Sequence, residues 1–166
     1  MIEFKDITKD NFEEVVHVDM ADSQKGFVEN AMYSLAECYV QPYWYPRCVY
    51  DGDIPVGFVF YYFVPEDKEK NPDLVFLHRI FVDKNQQRKG YGLKILDAFM
   101  DYAKEQFPTI KCVELIHYPD NVAGAALYDK AGFKLTGEKR KSAPGFFEQG
   151  SKDPDRQVEL VRRRYF

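Results

Sequence analysis

Between Phe76 and Gly92 the chain runs from an apolar strand through a short polar loop into a helix start flanked by glycines. The strand reads Phe76-Leu77-His78-Arg79-Ile80-Phe81-Val82, the polar loop Asp83 to Gln86, and the junction Gln87-Arg88-Lys89-Gly90-Tyr91-Gly92. Leu96, Phe99, Met100, Ala103 and Phe107 follow at helical spacing until Pro108 stops the pattern. A strand, glycine loop and helix in this order commits the middle of the chain to a strand-helix crossover. It also outlines an anion site. The first N–H groups of a helix have no intrahelical partner, the macrodipole is positive there, and glycine lets a phosphate approach the backbone. Arg88 and Lys89 add positive charge. The Walker loop needs Gly-Lys-Ser/Thr, and the dinucleotide fingerprint needs a third glycine where Ile95 stands; the chain has neither. Two glycines alone fit a tight turn that merely starts a helix equally well.

The flanking sequence supplies the rest of an α/β order. Ile2, Phe4 and Ile7 read as a short strand, and Asp10 is placed to cap a helix carrying Phe12, Val15, Val16 and Val18. Residues 23–40 look helical, and Pro42 and Pro46 break the chain. Asp51-Gly52-Asp53 between Arg47 to Tyr50 and Val56 to Val64 predicts a hairpin. Pro65 to Pro72 is a charged loop, Leu74 to Val82 a strand, Val113 to Ile116 another, and Asn121 to Ala131 a helix. Phe133 to Thr136 begins a strand, residues 141–156 form a polar loop, and Val158 to Val161 make the last strand. The expected architecture is a mixed sheet, antiparallel early and partly parallel in the middle.

A length of 166 residues and 45% hydrophobic content suit one domain with a real core. The longest apolar run, Val56 to Val64, is half of what a membrane-spanning helix needs, and Met1 to Asp6 lacks the features of a signal peptide. Cys38, Cys48 and Cys112 have neither disulfide nor zinc spacing, which points to a reducing cytosol and to cysteines as small buried hydrophobes. Residues 1–53 hold 11 acids against 4 bases, the balance wanted beside a cationic substrate. Arg162-Arg163-Arg164 is too short a basic run to predict nucleic-acid binding.

Two motifs then carry a resemblance. Gln87-x-x-Gly90-x-Gly92 after a strand ending in Val82 resembles the acetyl-coenzyme A motif of the GNAT superfamily of N-acetyltransferases. Asn121-Val122-Ala123-Gly124, continuing through Leu127-Tyr128-Asp129-Lys130-Ala131-Gly132-Phe133, resembles the second half of that family. Together they span residues 74–136. The front half is similar to bacterial members that acetylate spermidine and spermine, through Gln24, Phe27-Val28, Asn30, Ser34-Leu35-Ala36, Tyr39-Val40, Pro42, Trp44, Pro46 and Val56-Gly57-Phe58.

The resemblance implies a single GNAT domain over residues 1–166, with splayed parallel central strands and about four helices. It implies acetyl-coenzyme A as co-substrate; no metal is expected, because no His/Cys/Asp cluster in the sequence has ligand spacing. Backbone N–H groups of Arg88, Lys89, Gly90, Tyr91 and Gly92, edged by Gln87 and Leu93, would hold the pyrophosphate. Phe81 and Val82 would pair with the pantetheine arm, and Asn121 would contact the coenzyme. Tyr128 would protonate the leaving thiolate. The acceptor's proton would go to His78, which stands where relatives often place a carboxylate, or to water. An ordinary ammonium has pKa ~10.4, so this step costs about 4–5 kcal/mol at neutral pH. Strand alternation puts His78 on the face of Phe76 and Ile80. Glu29 and Glu37 are the carboxylates assigned to a cationic acceptor, with Asp22 near them and Trp44, Tyr43 and Tyr61 available for cation–π contact. Polyamine is the expected acceptor; a protein N-terminus, an aminoglycoside, an amino acid, or a role as a non-catalytic acyl-coenzyme A sensor are the alternatives. The chain is expected to work in the cytoplasm with neither nucleic acid nor membrane, and the resemblance leaves a homodimer open.

Overall fold

The Asp51-Gly52-Asp53 turn joins β2 (Trp44–Asp51) to β3 (Ile54–Val64) as an antiparallel hairpin with Asp51 opposite Ile54. Around it a computed structural model describes residues 1–41, 43–65, 73–141 and 158–166. The other strands are β1 (Ile2–Lys5), β4 (Leu74–Val82), β5 (Cys112–His117), β6 (Lys134–Lys141) and β7 (Val158–Tyr165). The helices are α1 (Phe12–His17), α2 (Ala31–Val40), α3 (Tyr91–Gln106) and α4 (Val122–Lys130), with a short 3-10 turn at Asp22–Gln24. The strands form one sheet in the order β1-β2-β3-β4-β5-β7-β6. Its first four strands are antiparallel, β4 and β5 are parallel, and β7 runs antiparallel to both β5 and β6. This is the mixed sheet that the element order predicts.

Strand alternation divides the core between two faces. Val59, Tyr61, Val75, Leu77 and Val113 pack against Ile95, Leu96, Phe99, Met100 and Ala103 of α3. Phe58, Phe60, Phe81, Cys48 and Tyr50 pack on the other face with Val15 of α1 and Ala31 of α2. Each large apolar side chain so buried contributes about 1.5–3 kcal/mol, and together they fix which way each strand faces.

Some local expectations are corrected. Asp10 does not cap α1. Asn11 takes the N-cap position, and its side chain turns back to the preceding loop, accepting from the Thr8 N–H at 2.8 Å and donating to the Asp6 carbonyl at 2.9 Å. Of residues 23–40 only Ala31–Val40 is α-helix, because the Asn30 side chain caps it there by accepting from the Tyr33 N–H at 2.8 Å. Pro46 lies inside β2 opposite Phe60 instead of breaking the chain; β1 reaches only to Cys48, so β2 is an edge at that point and tolerates a residue without an N–H. The last strand extends past Val161 to Tyr165. Most of the expected loops at 65–72 and 141–156, and Pro42, fall outside the described residues.

Candidate active site

β4 and β5 pair only where Leu74–Phe76 meets Cys112–Glu114, although β4 continues to Val82 and β5 to His117. Beyond Phe76 the two strands part, and the second half of β4 presents backbone N–H and C=O groups to the notch. Parallel strands share the direction of their carboxyl ends. The N-termini of α3 and α4, which follow β4 and β5, therefore lie at the mouth of this notch.

The loop from β4 to α3 is built by Asp83. Its N–H donates to the Val56 carbonyl at 2.9 Å, and its carboxylate accepts from the N–H groups of Asn85 at 2.9 Å and Asp19 at 3.1 Å. Arg88 at φ 61° and Gly90 at φ 81° are both left-handed. Such left-handed turns aim successive N–H groups into a concave anion cradle. Gly90 is also the N-cap of α3, a conformation that costs a side-chain-bearing residue about 1–2 kcal/mol. Gln87 donates through Nε2 to Gln24 at 2.7 Å and to the Val82 carbonyl at 3.2 Å, tying the 3-10 turn to the end of β4. Lys89 is not a free charge: its Nζ donates to the Asn85 carbonyl at 3.0 Å and to Gln86 Oε1 at 2.8 Å. The Tyr91 hydroxyl donates to Asp51 at 3.1 Å, Leu93 packs on the α3-side core, and Gly92 faces Leu127 of α4. Phe81 is buried and stacks on Phe58 at 5.4 Å.

Beside the notch, the register of β3 and β4 slips between Phe60 and Tyr61, so that Phe60 pairs with Arg79 and Tyr61 with Leu77. His78 is the extra residue of this bulge, which breaks the expected alternation. It keeps the face of Phe76, with rings 5.8 Å apart, but Ile80 packs on the opposite face with the α3-side core. Trp44, Phe60 and Tyr62 complete an aromatic box around the imidazole, at 5.5, 5.5 and 6.1 Å between ring centroids. His78 Nδ1 is buried without a hydrogen-bond partner among the described residues. Burial, with the Arg79 charge adding to it, pushes the imidazole down to about 3.

The bulge turns Arg79 toward α2 as well. Its Nη1 pairs with Glu37 Oε2 and donates to Ser34 Oγ at 3.2 Å, and its guanidinium lies over the rings of Phe60 at 5.1 Å and Tyr33 at 5.5 Å. Glu37 is thus engaged by a buried arginine. Glu29 is half-buried; burial pushes its carboxyl up, with the Arg79 charge opposing and the Glu37 charge adding. Tyr61 is not on this side: it is buried against Phe99 on the α3 face, 2.9 Å from the Tyr102 hydroxyl. Tyr62 takes that place, stacked on Trp44 at 5.3 Å. Asp22 is exposed and paired with Lys25 at 2.6 Å, and Tyr43 is exposed.

Across the notch, Asn121 caps α4 by accepting from the Gly124 N–H at 2.9 Å. Tyr128 is buried on that helix, 5.6 Å from the His117 ring, and burial pushes its phenol up to about 12, with Arg162 opposing.

The sequence profile of the acetyltransferase (GNAT) family matches residues 3–133. The chain belongs to the GNAT family. Among curated relatives of this GNAT acetyltransferase, a probable spermine N(1)-acetyltransferase from Bacillus subtilis subsp. natto is 32% identical over 139 residues, covering 82% of this chain and 90% of the relative. The spermine/spermidine N(1)-acetyltransferase of Bacillus subtilis strain 168 is 31% identical over the same shares of both chains. Among solved structures, an aminoglycoside N(6')acetyltransferase from Legionella pneumophila superposes with a TM-score of 0.74 at 16% identity, covering 98% of this chain and 90% of that one. A GNAT acetyltransferase from Elizabethkingia anophelis with acetyl-CoA bound gives 0.64 at 18% identity over 100% and 97% of the chains. The GNAT fold and an acetyl-coenzyme A-dependent N-acetyltransferase activity follow from these findings. Among the described residues, no helix of this GNAT enzyme is long and apolar enough to cross a membrane.

Sequence reasoning passed over three features of the site. Arg79 was signalled by a charge in an otherwise apolar strand, since a buried arginine demands an acid. The bulge at His78 and the Gln24–Gln87 bond join residues far apart in sequence and left no local sign.

Proposed function

We propose that this enzyme acetylates a primary amine of a polyamine by direct attack within a ternary complex. The observation that carries the acceptor class is the 31–32% identity, over 82% of the chain, to relatives named for spermine and spermidine. The acceptor side supports it. Glu29 brings a half-buried carboxylate there, and the half-buried Trp44 and Tyr62, backed by the buried Phe60 and Phe76, bring rings suited to an aliphatic cation. Glu37, paired with Arg79, holds that wall in place, so Glu29 is the better anchor for a distant ammonium.

The coenzyme fits the notch on two counts. The cradle at Arg88 and Gly90 suits a pyrophosphate, and the free edge of β4 at Phe81 and Val82 suits an amide-bearing arm. Asn121 Oδ1 is spent on the helix cap, leaving Nδ2 as its group for coenzyme contact. When bound, acetyl-coenzyme A supplies an activated acetyl thioester. The Val82 carbonyl, which now accepts from Gln87, and its neighbouring N–H groups orient the arm. Among these, a β4 N–H stabilises charge developing on the thioester oxygen. His78, neutral in its aromatic box, accepts the N–H of the attacking amine. With so low a proton affinity the imidazole orients the amine as a hydrogen-bond acceptor, and water takes the proton. Tyr128 carries its proton at any working pH and gives it to the departing sulfur.

Thiol release measured with acetyl-coenzyme A and a panel of amines tests the acceptor. Spermine and spermidine are expected to lead in kcat/KM; preference for an aminoglycoside or a peptide N-terminus would remove the polyamine reading. Tyr128→Phe is expected to lower turnover about 100-fold with coenzyme affinity nearly unchanged. Parental turnover in that variant would take Tyr128 out of the mechanism.

A further inference from the structure

The three consecutive arginines of β7 are divided between two faces by strand alternation. Arg163 pairs with Glu114, whereas Arg164 reaches Asp97 of α3 and Arg162 reaches Asp129 of α4. Arg162 is only 4% exposed. Its Nε donates to His117 Nε2 at 2.9 Å, Nη1 to Asp129 Oδ1 at 2.6 Å and to the Phe133 carbonyl at 3.1 Å, and Nη2 to Asp129 Oδ2 at 3.4 Å. Because His117 accepts at Nε2, its imidazole is neutral and its proton sits on Nδ1, which donates to the Tyr118 carbonyl at 2.9 Å. That carbonyl also accepts from the N–H of Asn121 at 3.1 Å.

Two of Arg162's partners, His117 and Phe133, flank Tyr128. The His117 ring lies 5.6 Å from the Tyr128 ring, Asp129 is the next residue on the helix, and the Phe133 ring stands edge-on at 6.4 Å. The Phe133 N–H donates to the Tyr128 carbonyl at 2.9 Å. Asp129 itself is 60% exposed in its side chain, so as a stability device the pair is modest: an exposed acid adds little, while burying a guanidinium is costly. What a fully bonded guanidinium does supply is fixed geometry, because its planar fork sets three partners at once.

Resting on the reading of Tyr128 as proton donor, we propose that Arg162 is a positioning residue for acetyl transfer, clamping Asp129, His117 and the Phe133 carbonyl around Tyr128. The clamp fixes the angle at which the phenol enters the notch. Its positive charge also favours the phenolate that forms as the proton leaves, against the burial that disfavours it. The same clamp reaches Asn121 through His117 and Tyr118, so both α4 groups assigned to the site share one anchor.

The test combines a mutant cycle with a spectrum of the coenzyme-free protein. Arg162→Met is expected to lower kcat about tenfold or more while acetyl-coenzyme A affinity by calorimetry changes less than about twofold. Arg162→Lys, which keeps the charge without the fork, recovers part of the loss. In the Tyr128→Phe background the Arg162→Met effect shrinks to less than about twofold, since the group it positions is gone. With 3-fluorotyrosine at position 128, the coenzyme-free protein gives one sharp fluorine resonance that splits or broadens in Arg162→Met. Asp129→Asn, which slackens the clamp without removing a buried charge, gives a smaller loss of the same kind and serves if Arg162→Met does not fold. An equal loss in both backgrounds, an unchanged kcat, or an unaltered fluorine resonance would overturn the proposal. Parental turnover in Tyr128→Phe alone would instead remove the reading beneath it.

Discussion

Enclosing an imidazole among Trp44, Phe60, Tyr62 and Phe76 makes its charged form costly, and Arg79 beside it adds to that cost. In the unfolded chain His78 returns to its ordinary value of 6.5, whereas in the folded chain it lies near 3. Between those values the unfolded state binds the extra proton, so the folded state loses stability as pH falls through that window and keeps it in full above. His78→Phe removes the titrating group and keeps a ring in the box. Urea denaturation at pH 7 and at pH 4.5 is expected to show a smaller acid loss in the variant than in the parent; equal losses would mean that the imidazole protonates freely when folded. The same lowered value predicts that the kcat/KM profile has no acid limb from His78 near 6.5.

At the scale of elements, the hand-over from β4 to α3 depends on a close approach to β3. A Cβ built on Gly57 would stand 2.6 Å from the Phe81 carbonyl oxygen and 3.1 Å from Ile95 Cδ1. The first is backbone and cannot swing away, so Gly57→Ala must push β3 from β4 at Phe81 and Val82. The expected cost is about 1–3 kcal/mol in urea denaturation, with weaker coenzyme binding by calorimetry because the arm's docking edge moves. Unchanged affinity would mean that this edge is not where the coenzyme docks. The hairpin at Gly52, the Gln87–Gly92 junction and the α4 motif were legible because turn residues and helical spacing are local signals. The α2 start at Ala31 was missed since Asn30, one cap among several polar residues, decides it. The facing of Ile80 and the place of Tyr61 were missed for another reason. A bulge and a strand register are set by partners elsewhere in the chain, and one inserted residue reverses every later side chain.

The whole sheet is held differently on its two sides of the notch. The α3-side core continues from β1–β4 into β5 through Val113 and Leu115, but on the other face β5, β7 and β6 meet on a carboxylate: Glu114, 1% exposed, pairs with Arg163 at 2.7 Å and Arg140 at 2.6 Å. Glu138 joins the same two arginines from the surface, at 3.3 and 3.5 Å, with its side chain 46% exposed. The basic run at the end of the sequence is therefore spent on internal pairs, which composition could not show because its acids lie on other strands. Arg140 can turn to solvent if Glu114 is neutralised, but Arg163, 10% exposed, cannot. Breaking one partner of a buried pair leaves an uncompensated charge, so Glu114→Gln is expected to cost about 3–5 kcal/mol. Glu138→Gln, in solvent, should cost about 0–1 kcal/mol. Urea midpoints for the two variants separate burial from the mere number of ion pairs. Equal costs would mean that Glu114 is not the carboxylate on which the three strands depend. Arg163 and Arg162 face opposite sides of β7, so the surviving folded fraction of Glu114→Gln should keep parental turnover per active site. A loss of kcat there would tie this network to the Tyr128 clamp.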